Sequence, residues 1–425
     1  MRRLFKVAAA NSIVTLGRLV LGLLTNKLYA VMLGPAGYTA LANISNAFNL
    51  AHAASQAGMS NGVAANVARN ADNSQQRNFV YTGITLSLWA ASGLAFIFLG
   101  VQLSGILPAL SPVLFAVLLG TLILASPLGT LTGYFNGNED NFPIYWAQLA
   151  GAILLLLIVW ICYLLGRADL MLASVGAAVL GAAFTLLLFG YRRGLFSAVK
   201  EFRLSSVYSR PLLGYLLIGA VSGIVAQLMQ IAVRMMMAHK FGDDVAGYWQ
   251  ASWRLSEAYL AVLAQTIAMV LLPRYSRAQT QQSLKHAVSE GVVWFAGGAL
   301  LLCSFVFYFA DSLVLLLFSD KFIDAVEFIR VQVIGDFLKI ISWVLAYVML
   351  AKGNVKMFVI TEVIAGTLFV AFTALAIDIS PDILNANYAY IAMYAIYTLL
   401  VLAVVIRTIK TMPKIELAEG QKTNA

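Results

Sequence analysis

Long apolar runs constrain this chain more than any other feature. Segments of about 20 or more predominantly apolar residues can be drawn at 5–33, 36–68, 78–103, 112–135, 143–165, 169–191, 211–238, 246–272, 288–311, 323–351, 354–378 and 384–408, nearly filling the 425 residues. With 61% hydrophobic and 11% charged residues, against about a quarter charged in soluble domains, this composition belongs in a bilayer. The bilayer core offers the backbone no hydrogen-bond partners, so runs of this length fold as helices. The expected fold is an all-α polytopic membrane protein with twelve transmembrane helices. The opening Met1-Arg2-Arg3-Leu4-Phe5-Lys6 looks like the start of a secretory signal, but the apolar run continues to Leu33 without a small-residue cleavage site. It reads as a retained first helix.

The chain nearly repeats itself halfway along. Leu33-Gly34-Pro35-Ala36-Gly37-Tyr38 opens one apolar stretch, and Phe241-Gly242-Asp243-Asp244-Val245-Ala246-Gly247-Tyr248 opens another, each after a helix carrying an arginine, Arg18 or Arg234. The basic connector at 192–210 separates six spans from six, which divides the chain into an N-lobe at 1–205, a C-lobe at 206–412 and a polar tail at 413–425. Even-numbered halves enter the membrane in the same direction, so the expected arrangement is two six-helix lobes related by a parallel pseudo-twofold repeat, with the substrate site between them.

The net charge of +9 does not indicate nucleic acid, because the basic residues are spread over short loops rather than gathered on one patch. It indicates topology. With both termini in the cytoplasm, most of the 28 basic residues fall inside, while Arg167, Lys240 and Lys321 fall outside among acidic loop residues such as Asp169, Asp243 and Asp320. That distribution follows the positive-inside rule.

Ten charged residues remain within the drawn spans: Arg18, Lys27, Arg234, Arg254, Arg330, Lys339, Glu257, Glu327, Asp336 and Glu362. A charge at the bilayer centre costs at least about 2.5–3.5 kcal/mol, so such residues are functional candidates by default. The balance is positive and favours an anionic passenger. Arg18 aligns with Asn11, Thr15 and Thr25; Lys27 lies on nearly the opposite face, which calls either for a break at Gly22 or for snorkelling to the interface. On the second helix Ser45, Asn49, His52, Gln56 and Ser60 fall within an arc of roughly 80°. Two readings suit this stripe: the wall of a hydrated cavity that hydrogen-bonds sugars, or polar glue between helices. Gly223, Gln227, Gln230 and Arg234 repeat the pattern in the seventh helix. Arg254–Glu257 and Asp336–Lys339 stand at i, i+3, close enough to pair, so they serve either the passenger or simple neutralisation. The substrate-binding candidates are therefore Arg18, Lys27, Asn49, His52, Gln56, Gln230, Arg234, Arg254 and Lys339, and the coupling or gating candidates are Glu257, Asp336 and Glu362.

Catalytic motifs are missing from the chain: there is no GxxxxGK[ST] phosphate loop, HExxH or GxSxG. Cys162 and Cys303 are isolated and suit neither a metal site nor a disulfide framework. A transporter without a cofactor is expected, driven by proton or sodium coupling, the membrane potential or the substrate gradient.

Several short motifs carry a resemblance. They are Asn26-Lys27-Leu28 before Leu33-Gly34-Pro35-Ala36-Gly37, Asn61-Gly62-Val63, Asp72-Asn73 with Gln75-Gln76, Gly247-Tyr248-Trp249-Gln250, Ala258-Tyr259-Leu260, Leu272-Pro273 with Ser276-Arg277, and Gly335-Asp336 with Leu338-Lys339. In order and spacing the chain resembles the Wzx-type flippases of the polysaccharide exporter branch of the MOP superfamily, most closely those handling enterobacterial common antigen. The resemblance implies a V-shaped, MATE-like inner-membrane transporter that alternates between inward and outward states. It would carry an undecaprenyl-pyrophosphate-linked oligosaccharide of the O-antigen or common-antigen type, with a polysaccharide polymerase and chain-length regulator as neighbours and a monomer as the default. Arg254 departs from the family pattern, which expects a small polar residue there. The rivals are a multidrug or cation antiporter, which would prefer acids and aromatics in its cavity, a lipid II flippase, which typically has two further helices, and a glycosyltransferase or polymerase, which needs larger loops.

Overall fold

The computed structural model describes residues 2–56, 58–70, 72–103, 111–197 and 204–414, with the side chains of 2–13, 101–103, 214–226 and 355 left aside. Asn11, Gly223, the middle of the basic connector and most of the tail at 413–425 lie outside this description. Two compact units make up the chain, Met1–Ile231 and Ala232–Ala425.

In the first unit, α1 (Arg2–Gln56) is two helices joined at Gly34, whose φ of 65° and ψ of −177° interrupt the helix. L side chains rarely adopt that conformation, and Pro35 then starts the second half at a position where a missing N–H costs nothing. After α1 come α2 (Met59–Arg69), α3 (Asn73–Leu103), α4 (Pro112–Ala125), α5 (Leu128–Gly137), α6 (Phe142–Leu164), α7 (Ala168–Ala173) and α8 (Ala177–Arg192). The long α9 (Ser206–Phe241) leads into the second unit, where α10 (Asp243–Arg277), α11 (Gln281–Tyr308), α12 (Ala310–Leu317), α13 (Ala325–Ala351), α14 (Val355–Ile379) and α15 (Asn385–Thr411) follow.

Among the described residues ten helical segments are long and apolar enough to cross a membrane, against the twelve drawn from sequence. The first two drawn spans run together as Val14–Arg69, interrupted at Gly34 and near Gly58, and the seventh drawn span, on α9, lies partly outside the described side chains. Gly242, with φ 93° and ψ 164°, separates α9 from α10 as Gly34 separates the halves of α1. The repeated motif therefore makes the same backbone turn twice.

Close helix packing in the first unit depends on glycine. Gly129, Gly133 and Gly137 recur every fourth residue on α5 and so share one face. A Cβ there would lie 2.9 Å from Gln56 Oε1, 2.5 Å from the Ser60 carbonyl oxygen and 2.8 Å from the Ala64 carbonyl oxygen, respectively. This is the small-residue packing that membrane helices use where apolar burial cannot drive association. Around it cluster Met59, Val63, Val67, Phe79, Leu131 and Phe135, all buried. Because the Gly133 obstacle is backbone, Gly133→Ala must push α2 and α5 apart, with an expected loss of about 1–3 kcal/mol. Thermal unfolding of the purified protein measures it, and an unchanged midpoint would refute the close approach.

The second unit closes at its α11 and α15 ends. Gln281 donates its backbone N–H to the Pro413 carbonyl at 2.9 Å, and its Nε2 to the Lys410 and Met412 carbonyls at 3.1 and 2.9 Å. These bonds satisfy carbonyls that a helix C-terminus leaves without intrahelical partners.

Candidate functional site: polar groups inside the helices

The first unit holds Arg18 at its surface, in an otherwise apolar stretch of α1. The guanidinium Nη1 donates to Oε1 of Gln148 on α6 at 2.8 Å, and among the described residues Arg18 has no ion pair. Gln148 was absent from the sequence candidates; its signal was a lone amide inside the apolar run Phe142–Leu164. A neutral carbonyl orients a guanidinium without neutralising it. The remaining N–H groups keep the forked geometry that matches phosphate and carboxylate oxygens.

Lys27 is half-buried on the next stretch of α1, beside buried Thr25 and Asn26. Tyr38 donates its hydroxyl to Asn26 Oδ1, across the Gly34 break. Asn26 and Arg234 each stand eight residues before the turn glycine, so Asn26, not Arg18, is the counterpart of Arg234. Arg234 is fully buried in the second unit and donates Nε and Nη2 to Gln250 Oε1 at 3.0 and 2.7 Å, with its guanidinium 6.0 Å from the Trp249 ring centroid. In both repeats a polar side chain ahead of the turn fastens onto the helix after it.

The polar stripe of the second drawn helix divides in two. Asn49 is exposed, and His52 is half-buried against Phe48, stacked with ring centroids 5.9 Å apart. Gln56 turns inward: its Nε2 lies 2.8 Å from His52 Nδ1 and donates to the Ala125 carbonyl at 3.1 Å, while Oε1 accepts the Gly129 N–H at 2.5 Å. Pro127, which lacks an N–H, separates α4 from α5 at this point, and the Gln56 amide bonds backbone groups on either side of the break. Gln56 is therefore a structural residue rather than part of an open wall. Gln230 is buried and accepts from Asn46 Nδ2 at 3.3 Å, an amide that sequence reasoning left out.

The second unit concentrates its polar groups among α10, α13, α14 and α15. Asp336, fully buried on α13, accepts hydroxyls from Ser256 at 2.6 Å and Tyr390 at 2.8 Å, and from Tyr259. The expected Asp336–Lys339 pairing does not form: among the described residues ion pairs join Arg254 to Glu257 at 3.6 Å but not Lys339 to Asp336. Lys339 Nζ instead lies among four rings, with centroids of Trp253, Trp343, Tyr390 and Tyr394 at 5.5, 5.2, 5.7 and 5.5 Å. Glu257 accepts from Trp253 Nε1 at 2.8 Å, and Glu362 accepts the Tyr397 hydroxyl at 2.6 Å. Arg254 is exposed, and its Glu257 contact is the i, i+3 pair read from sequence. The ring of Tyr390 lies against Gly335, where a Cβ would approach Tyr390 Cδ1 to 2.3 Å. Gly335→Ala is therefore expected to displace Tyr390 from both Asp336 and Lys339 and to remove about 1–3 kcal/mol of stability. A wild-type melting curve for that variant would refute the assignment.

Comparison with known proteins adds an independent line. A family model described as polysaccharide biosynthesis protein matches residues 4–279. The lipid III flippases of Escherichia coli (strain K12) and Shigella flexneri are each 27% identical over 410 residues, which covers 92% of this chain and 94% of theirs. Among solved structures, the inward-facing conformation of a multidrug resistance MATE family transporter of the MOP superfamily superposes with a TM-score of 0.79 at 15% identity, covering 94% of this chain and 99% of that one. A MOP superfamily transporter from Pyrococcus furiosus, described by a reversed polarity of its binding pocket, gives 0.67 at 15% identity over 95% of both chains. At these identities the structural likeness establishes the fold alone. With its all-helical fold and many membrane-length helices, the chain is a multi-pass membrane protein that belongs to the polysaccharide biosynthesis protein family.

Proposed function

We propose that this protein is a flippase, a transporter rather than an enzyme, that moves an undecaprenyl-pyrophosphate-linked oligosaccharide across the bacterial inner membrane by alternating access. The observation that carries the reading is Arg18: an exposed guanidinium in an apolar helix, oriented by the neutral Gln148 and without a carboxylate partner among the described residues. Such a group in a membrane helix is a functional candidate, and its charge suits an anionic partner. A pyrophosphate supplies one in a geometry that arginine binds through paired hydrogen bonds. Support comes also from the near full-length similarity to proteins named lipid III flippases.

The site would comprise Arg18 with Gln148, Lys27, and the hydrogen-bonding pair Asn49 and His52 for neutral sugar groups. In the second unit, taken by itself, Arg254 and Glu257, exposed and partly exposed on α10, are further candidates for glycan contact. Gln56 and Arg234 are withdrawn from substrate contact and assigned to holding the helices, and buried Gln230 goes with them. Twelve spans with both termini in the cytoplasm complete the reading. A repeat unit of the O-antigen or common-antigen type is the proposed cargo, and Asp336, Glu257 and Glu362 are the candidates for proton or sodium coupling.

Liposomes containing the purified protein and a fluorescent undecaprenyl-pyrophosphate glycan test the function. Expected is protein-dependent loss of protection of the inner-leaflet glycan from a membrane-impermeant reagent. Gradient-driven efflux of a small organic cation by the same preparation, with no glycan transfer, would replace the flippase reading by a multidrug one.

A further inference from the structure

The four rings around Lys339 come from three helices, Trp253 from α10, Trp343 from α13, and Tyr390 and Tyr394 from α15, all within the second unit. Carboxylates stand at its margins: Asp336 one turn away on α13, Glu257 on the Trp253 indole, and Glu362 on Tyr397, which is itself in ring contact with Tyr394. Ring faces inside and acids outside form the arrangement that binds alkylammonium ions, because the negative faces attract a cation that gives up little hydration. A carrier of anionic lipid-linked glycan has no use for such a site as a binding pocket. Among the described residues the cation within it is the chain's own Lys339, while Trp343, Tyr394 and Lys339 are only partly buried and leave the cage within reach of the surface.

We propose that Lys339 is the resident ligand of an organic-cation site, and that by filling it Lys339 excludes alkylammonium cargo and reserves the protein for anionic cargo. Lys339 is then a specificity-determining residue. Its stem enters from α13, and its ammonium supplies from within the charge that a free ammonium ion would bring. At the margin of the cage, Asp336 ties α13 to α10 and α15 through three hydroxyl bonds that do not involve the lysine.

Chemical rescue tests the proposal on the full-length protein in detergent. Lys339→Ala deletes the equivalent of propylammonium beyond Cβ, so propylammonium is the probe and 1-propanol its uncharged control. Expected is saturable propylammonium binding to Lys339→Ala at least about tenfold tighter than to wild type, seen as a concentration-dependent rise in melting temperature. Propanol should give no such rise, and adding Trp343→Ala should remove the propylammonium effect. If Lys339→Ala is recovered poorly, propylammonium in the purification buffer should restore its yield and propanol should not. Equal binding by wild type and variant, equal effects of propanol and propylammonium, survival of binding without Trp343, or failure of propylammonium to rescue would each overturn the proposal. The exclusion of cations as cargo rests on the flippase reading, but the binding measurement uses no glycan. Cation binding by Lys339→Ala together with absent glycan transfer by wild type would sink the flippase reading and leave the cage assignment standing.

Discussion

Asp336→Ala is expected to destabilise the purified protein by at least about 1–3 kcal/mol, the cost of leaving a buried polar group unsatisfied. Both carboxylate oxygens are in use, Oδ1 on Tyr390 and Oδ2 on Ser256 and Tyr259, and the residue is fully buried. Truncation leaves three hydroxyls without their acceptor, and an unmet buried donor costs about 1–3 kcal/mol. It also removes the nearest carboxylate on α13 from the Lys339 ammonium. Asp336→Asn is expected to lose less, because a carboxamide of the same shape retains one acceptor oxygen and the hydroxyls can rotate to accept from its NH2. The two variants therefore separate the loss of charge from the loss of shape. Melting in detergent, with solubilised yield as a second readout, should rank wild type above Asn and Asn above Ala. Equal midpoints for all three would mean that the carboxylate does not organise this unit.

That network shows how far residue patterns alone reach. The all-helical, membrane-length character of the chain, the paired turns at Gly34 and Gly242, and the Arg254–Glu257 pair were legible, because each depends on neighbours within a few positions along the chain, whereas twelve spans were drawn and ten are found among the described residues. Asp336 and Lys339 met the same spacing rule, yet apart from Trp343 on the same helix their partners are distant in sequence: Ser256, Tyr259 and Tyr390 stand 80, 77 and 54 residues from Asp336, and the other rings around Lys339 belong to Trp253, Tyr390 and Tyr394. Helix proximity favours an i, i+3 pair by only a few tenths of a kcal/mol, which three directed hydroxyls and four ring faces outweigh. Gln56 was unreadable for a related reason. Its inward turn depends on a break before α5 that packs against α1 from 73 residues away. The turn glycines set the register of the repeat, and Asn26 and Arg234 each stand eight residues before theirs, so the position matching Arg234 is an amide rather than an arginine.

Arg18→Ala is expected to lower glycan transfer by roughly 30- to 150-fold while leaving folding and membrane abundance close to wild type. Two features of the site predict this separation. Arg18 is exposed and its partner among the described residues is the neutral Gln148, so its removal strands one amide at a surface rather than a charge in a core. A charged hydrogen bond to a phosphate oxygen is worth about 1.5–3 kcal/mol, and about 2–3 kcal/mol converts to the stated change in rate. Arg18→Lys keeps the charge but not the forked donors, and should recover only part of the activity. Gln148→Ala leaves the guanidinium intact but unoriented, and should produce a smaller loss than Arg18→Ala. In liposome transfer the expected order is wild type, then Arg18→Lys and Gln148→Ala, then Arg18→Ala. Arg18→Lys as active as wild type would show that charge alone suffices at this position. Transfer undiminished in Arg18→Ala would remove Arg18 from the site and, with it, the main structural support for an anionic cargo.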